Sequence, residues 1–542
     1  MITNDALIFV CLLGASFVIG AVATRFVRNE SEYYVAGRRM PWYLLTGTFV
    51  ASNVSAGLFL GATNMTGRFG YAMWCAYFTT SIGFVLAIAV VGVLVRRMSD
   101  HYEIFDFADI LATRYSSRSA ALRVLTAVIL PIIYIPLLAA QFIALTTIAS
   151  SMFGLSYQTL LTAIVFLVVG YTLLGGMLGV VWSDGFQFLV LFFGLILAVP
   201  IGMASLGGGS IDEGWTQIVA LSQTRFQWTS EDWPWYLAVG QLVWIFAIPS
   251  QPHLVTRFLT ARDERSILIA LPACLTLGVA IYASTVPLGL LGRLTHPQLG
   301  AGEYYYVELA RQHLGPWLGA FALAGISAAA LSTGSTVLIV AGQSLSRELY
   351  KKWLAPQASE RQSLMAARAG VLMVGLTAFA IAYFQLLGIF WLAVLSASLF
   401  ASIFFVPLMS GFFFEKAGGS GAVAAILAGG AVSISVFFVN RTFGTHYFVS
   451  ECFAGLGASA LAMYLASRRC PAMHAVKVAI TGRFPRNQAQ GRGIVLVRAV
   501  SGIAGRVLGV FVCGMVHCLL ISLYGFQCPA FGVQYPVNGF IV

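Results

Sequence analysis

The sequence predicts an all-α protein that crosses a membrane many times, and three observations carry this. Hydrophobic residues make up 59% and charged residues only 9% of the 542 residues, with a mean hydropathy of +0.86. The apolar runs are continuous over about 20 residues, the length that spans a bilayer core as helix, whereas barrel strands alternate over about 10. Lys and Arg are concentrated in alternate connecting segments, as positive-inside topology requires. A single soluble domain is excluded. The net charge of +11 is then topological: loops placed outside carry only Arg68, Arg225, Arg293, Arg311 and Arg441. No nucleic-acid partner is implied, and the bilayer is the surrounding medium.

In chain order, spans fall near 6–24, 44–67, 72–95, 120–151, 157–174, 182–206, 236–256, 267–292, 316–343, 364–384, 388–412, 421–439 and 446–467. A weaker run at 494–524 makes the count thirteen or fourteen. The first run has no basic n-region, carries Asp5, and is followed by Arg25 and Arg28. It therefore reads as a retained helix with its N-terminus outside, and not as a signal peptide. The eight cysteines show no CxxC spacing and read as small core hydrophobes, with no disulfide framework or zinc site.

Three spans are poor membrane helices. In Thr48 to Gly61, Ser52, Asn53 and Ser55 with Gly57 and Gly61 stand where lipid favours Leu and Ile. Such a stretch either lets two helices approach closely or breaks the helix to line a polar cavity. In Trp244 to Arg257, Pro249 and Pro252 each remove a backbone donor, and Ser250, Gln251 and His253 bring polarity to membrane depth. The two segments lie five spans apart, so they cross in opposite directions, as in an inverted repeat with its site at the repeat interface. In the ninth span, Ser332, Ser335 and Thr336 share one helix face, with Thr333 beside them. Neutral hydroxyls and freed carbonyls are the ligands a hard cation such as Na+ needs, held weakly enough for release. Asp184, at the start of the sixth span, is either a helix cap or a functional carboxylate.

The stretches GRRMPW at Gly37, ASNVSAGLFLG at Ala51, GGMLGVVWSDGFQ at Gly175, SQPHLVTRFLTARD at Ser250 and AALSTGST at Ala329 together resemble the sodium:solute symporter family. The resemblance runs from about residue 5 to 468 and implies a LeuT-type fold: two inverted five-helix repeats with broken first and sixth core helices. It implies a transmembrane domain over 1–468, with core repeats at about 44–206 and 236–412. A basic cytoplasmic segment, 469–542, follows with no assigned role.

The same resemblance implies a main sodium site at the carbonyls of Ala51, Val54 and Ala329 and the hydroxyls of Ser332 and Thr333. A second sodium site, present in some members, corresponds to Asp184, Ser332, Ser335 and Thr336. Solute-binding positions implied are Asn53, Ser55, Tyr77, Phe78, Gln141, Gln251 and His253, with Trp391, Ser396 and Ser398 helping to close the site. Gly57 and Leu58 replace the polar pair of sugar carriers, and Tyr77 replaces their acidic ligand. The chain is thus nearer to the proline, pantothenate and short-carboxylate carriers.

The expected function is secondary active, Na+-coupled symport of a small polar solute, an amino acid such as proline or a carboxylate, by alternating access. The alternatives are a membrane solute sensor within a signalling system, against which the lack of a kinase-sized region after Arg468 counts, and a proton-coupled carrier titrating Asp184 or His253. No nucleophile, base and orienting group stand at a recognisable spacing, so an enzyme is not expected. Expected location is the plasma membrane, in a bacterium the inner membrane, with no oligomer predicted.

Overall fold

Every regular element among the described residues is a helix, the one segment geometry that pairs its own backbone in hydrocarbon. The computed structural model describes residues 4–26, 30–69, 74–225, 239–298, 304–414, 416–443 and 450–469. The expected segment 469–542, apart from its first residue, and the weaker run at 494–524 lie outside these residues. Among the described residues eight helices are long and apolar enough to span alone, among them Ser116–Phe153, Glu264–Thr295, Pro316–Lys352 and Ile389–Phe413. The spans expected at 44–67 and 236–256 are the broken ones, Trp42–Asn53 with Ala56–Phe69, and Val243–Ala247 with Pro252–Thr260.

Tyr157–Leu206 is helical over 50 residues, about 75 Å at 1.5 Å per residue and far more than one crossing. Val168 packs 3.7 Å from the Cβ position of Gly334, while Asp184 joins Thr336 through Arg257. Both halves therefore meet the Pro316–Gln343 helix at nearly one level, so the segment doubles back between them. This agrees with the two separate spans expected at 157–174 and 182–206.

Pro316–Gln343 is the central post and is buried from Gly319 to Gln343 apart from half-buried Phe321. Its small residues allow this. A Cβ at Gly325 would lie 3.0 Å from the Val190 carbonyl, and one at Gly194 would lie 2.9 Å from that of Phe321, so the two backbones touch. Gly83 plays the same part for the second broken helix: a Cβ there would stand 2.5 Å from the Trp244 carbonyl.

The arginine-rich face, expected to be cytoplasmic, is braced twice. Met40, just before the first broken helix, exchanges backbone hydrogen bonds with the end of the second, Met40 N to the Thr260 carbonyl and Arg262 N to the Met40 carbonyl, both 3.0 Å. Arg96 covers this pairing, donating to the Ala261 and Arg262 carbonyls at 3.1 Å each. Nearby, Asp106, Asp109 and Glu348 gather closely enough to hold a metal ion. Their charge is already met by Arg123, Arg347 and Lys352 at 2.5 to 3.6 Å, an ion-pair network that ties the Phe107–Arg114 helix to the end of the central post.

Burial and the neighbouring Asp109 carboxylate push Asp106 up to about 7. Between the ordinary carboxylate range and about pH 7 the folded protein keeps a proton that the unfolded chain has lost, so stability falls as pH rises through that window. The thermal midpoint is expected to drop between about pH 4 and 7, and Asp106→Asn, which preserves the helix cap, to flatten the profile; an equally sloped variant would refute this. Gly83→Ala is expected to cost about 1–3 kcal/mol by overpacking, read as a lower melting temperature. Gly170→Ala, with nothing within 4 Å of its Cβ position, is the matched control.

Candidate functional site

The site begins where two helices stop at mid-membrane. The first broken helix ends as Val54 leaves helical geometry (φ −76°, ψ 73°) and the Ser55 amide donates to the Asn53 carbonyl at 2.9 Å, two residues back. Groups released by such a break must find partners in the protein. The Tyr282 hydroxyl supplies one, placed 3.0 Å from the Asn53 carbonyl and 2.9 Å from its side-chain Oδ1.

The second broken helix tightens through Ile248–Ser250, extends at Gln251 (ψ 113°), and restarts at Pro252. Both prolines stand in a first turn, where a missing N–H costs least. Ser250 Oγ donates to the Phe246 and Ala247 carbonyls at 2.7 and 3.0 Å and lies 3.3 Å from that of Phe400. The His253 amide donates to the Tyr134 hydroxyl at 2.9 Å.

The hydroxyls of the central post face the end of the first half-helix. Thr333 Oγ1 donates to the Ser52 carbonyl at 3.2 Å, and Ser332 Oγ lies 3.1 Å from Ser52 Oγ. Ala51, Val54 and Ala329 are buried beside them. The result is a buried cluster of neutral oxygens, a donor set suited to Na+. Ser335 and Thr336 both bond back to the Ser332 carbonyl, at 3.1 and 2.9 Å.

Asp184 and Arg257 form a fully buried ion pair at 2.8 Å. Thr48 donates to Asp184 Oδ2 at 2.6 Å, while the guanidinium also donates to Thr336 Oγ1 at 2.5 Å and to Ser52 Oγ. Of the four residues expected at a second ion site, Asp184 and Thr336 thus face an arginine, while Ser332 faces Ser52 and Ser335 bonds within its own helix. Arg257 is not among the expected site residues, because it stands close to Arg262 and Arg265 at a span end, where basic residues report topology. The signal that finds it is Asp184, since an intramembrane carboxylate calls for a named counter-charge.

Between the two breaks lies a cavity of about 10 Å³, space for roughly one water. Ser52, Asn53 and Ser55 line it from the first break, Gln251 and His253 from the second, with Thr333 at its edge. Leu137, Trp244, Ala393, Ser396 and Ala397 complete the wall. Of the expected solute positions, Asn53, Ser55, Gln251 and His253 come together here. Trp244 and Leu137 were not anticipated; Trp244 was recognisable as the aromatic just before the second break.

Gln141 stands off the wall, its amide donating to the Leu137 carbonyl at 3.2 Å. Phe78 is half-buried away from the wall, and the side chain of Tyr77 lies outside the described ones. Trp391 is 42% exposed, because the face of its helix turned to the cavity is the small one, Ala393, Ser396 and Ala397. The Ser396 hydroxyl is occupied by the Ile133 carbonyl at 3.0 Å, and Ser398 is buried.

Tyr282→Phe should loosen the first break by about 1 kcal/mol, the usual net worth of a hydrogen bond, roughly a fivefold change in an equilibrium. A titration of Na+ affinity checks this, and unchanged affinity would show that Tyr282 does not shape the ion site.

Comparison with known proteins agrees with this geometry. Residues 33–429 match the model of the sodium:solute symporter family. The sodium/proline symporter of Escherichia coli K12 is 26% identical over 391 residues, covering 70% of this chain and 77% of that protein. The sodium/proline symporter of Haemophilus influenzae is 24% identical over 476 residues, 85% of this chain and 93% of that protein. Among solved structures, the substrate-bound outward-open state of a Na+-coupled sialic acid symporter superposes with a TM-score of 0.70 at 18% identity, covering 86% of this chain and 98% of that one. Mhp1, a nucleobase-cation-symport-1 family transporter in a closed conformation, gives 0.50 at 14%, covering 82% of this chain and 96% of that one. The fold is LeuT-type.

Proposed function

This chain belongs to the sodium:solute symporter family, and on that premise we propose that it takes up a small zwitterionic amino acid of the proline type, bound between the two helix breaks. It is a multi-pass membrane protein that moves a small solute by Na+-coupled symport. Its Na+ binds at the carbonyls of Ala51, Val54 and Ala329 and the hydroxyls of Ser332 and Thr333. The observation that carries the reading is the Thr333 hydroxyl bonded to the Ser52 carbonyl at the edge of the cavity. An ion there ties the first broken helix to the central post, so ion and solute binding raise each other's affinity equally.

The substrate class rests on two kinds of support. The curated relatives compared above are sodium/proline symporters. The cavity wall holds neutral groups, Asn53, Ser55, Gln251 and His253, together with apolar Leu137 and the Trp244 ring. The restarting half-helices at Ala56 and Pro252 present their N-termini toward it, the end that attracts a carboxylate. A short carboxylate would use the same half-helix ends.

Room for about one water means that the solute enters only when helices separate, as alternating access requires. The transport domain is residues 1–468, with core repeats at about 44–206 and 236–412. The protein resides in the plasma membrane, the inner membrane of a bacterium, with its N-terminus outside.

The test is thermal stabilisation of the purified protein by a panel of amino acids and short carboxylates, each in Na+ and in matched choline. Proline at about a hundred times its Kd should stabilise by about 2.7 kcal/mol, and only in Na+. Thr333→Ala should raise the Na+ required about tenfold or more, the loss of an interaction of about 1.5–3 kcal/mol with a charge. A carboxylate hit with no proline hit would reassign the substrate. Stabilisation that persists in choline would remove the proposed ion site.

A further inference from the structure

We infer that the cleft between the fifth and tenth spans binds one anionic phospholipid of the leaflet on the arginine-rich face, with an acyl chain in the cleft and the phosphate on Arg368. This goes beyond the transport reading and does not depend on the solute. Two adjoining hollows carry it. The larger, about 280 Å³, opens between Tyr157–Gly170 and Glu360–Phe384. Val165, Val169 and Leu173 line one side and Leu372, Leu376 and Phe379 the other, with Phe166, 80% exposed, at the lip. The two helices touch beside the cleft, where Val169 stands 2.8 Å from the Cβ position of Gly375 and the Tyr157 hydroxyl donates to the Ala382 carbonyl at 3.0 Å. At Gly170 a Cβ would meet nothing within 4 Å, so the missing side chain leaves the cleft open.

The smaller hollow, about 10 Å³, continues the cleft past Leu173, which lines both. It adds the polar groups, Arg368 from the tenth span and Gln343 from the end of the central post. Gln343 is 2% exposed and its amide nitrogen has no hydrogen-bond partner. A buried donor left unmade is costly, and an acceptor oxygen entering this hollow removes the cost. Arg368 is exposed, and among the described residues no carboxylate answers it. Arg361 stands two turns away on the same helix face.

The dimensions select the ligand. From Arg368 to Phe379 the helix rises about 16 Å, half of a hydrocarbon core of about 30 Å. The cleft is thus one leaflet deep, with an arginine at its membrane-boundary end and only apolar walls and Thr162 toward mid-membrane. A chain of methylenes fills such a space, whereas a free phosphate would leave it unused. The smaller hollow holds a single oxygen, and two arginines at headgroup level favour a lipid of net negative charge. A lipid seated there touches the fifth span, the tenth span and the central post at once, which sets it apart from lipids that merely surround the protein.

The test is native mass spectrometry of the purified full-length protein titrated with dioleoyl phosphatidylglycerol and, in parallel, with dioleoyl phosphatidylcholine. Wild type is expected to retain one phosphatidylglycerol at a concentration about tenfold below that needed for phosphatidylcholine. Arg368→Gln should reduce that preference to about twofold, while Arg441→Gln, at a different span end, should keep it. Gly170→Leu, which fills the cleft, should weaken retention of both lipids about tenfold. Glycerol 3-phosphate, a headgroup without chains, should displace neither lipid. Equal retention of the two lipids by wild type, a preference undiminished by Arg368→Gln, or unchanged retention by a folded Gly170→Leu overturns the inference. Displacement by glycerol 3-phosphate overturns it as well, by marking a free-phosphate site. Should Gly170→Leu not fold, Arg368→Gln still decides, because that side chain is exposed.

Discussion

The structure depends on one constraint: a helix interrupted in hydrocarbon must have its released polar groups answered by neighbouring helices, since no water is there to answer them. The answers come from a few side chains. Tyr282 takes both oxygens of Asn53, Tyr134 takes the His253 amide, and Ser250 and Ser396 donate to carbonyls beside prolines or breaks. Each answer crosses from one helix to another, apart from the bonds Ser250 makes within its own turn. The breaks are thus the reason these helices stay together, and the cavity is the space left where the answers stop.

Charge follows the same logic. An isolated carboxylate at the depth of Asp184 would be prohibitive, and an isolated guanidinium equally so, yet as an ion pair they offset each other's charge. Beside that pair stand the hydroxyls of Ser332 and Thr333, the donor set of the proposed ion site. On the arginine-rich face the balance differs, with Asp106, Asp109 and Glu348 against Arg123, Arg347 and Lys352 closer to solvent.

Much of this was legible in the sequence because polarity inside an apolar run has few explanations. Ser52 to Ser55, Pro249 to His253 and Ser332 to Thr336 announced themselves, and the gap between the spans expected at 157–174 and 182–206 marked where a 50-residue helix must double back. The faces of helices were harder. Nothing in a uniformly apolar run tells which side is small, so Trp391 was expected at the site although Ala393, Ser396 and Ala397 are the residues turned to it. Gln141 satisfies part of its amide within its own helix, an option that spacing alone does not reveal. Arg257 was hidden by its company, since arginines near a span end normally report only topology.

The backbone pairing of Met40 with Thr260 and Arg262 has a kinematic consequence. The entry to one broken helix and the exit from the other are riveted at a common end, so neither half-helix can swing there alone. The two must turn as a single lever about the interrupted midpoints, and any opening toward the arginine-rich face belongs to the helices that flank this lever.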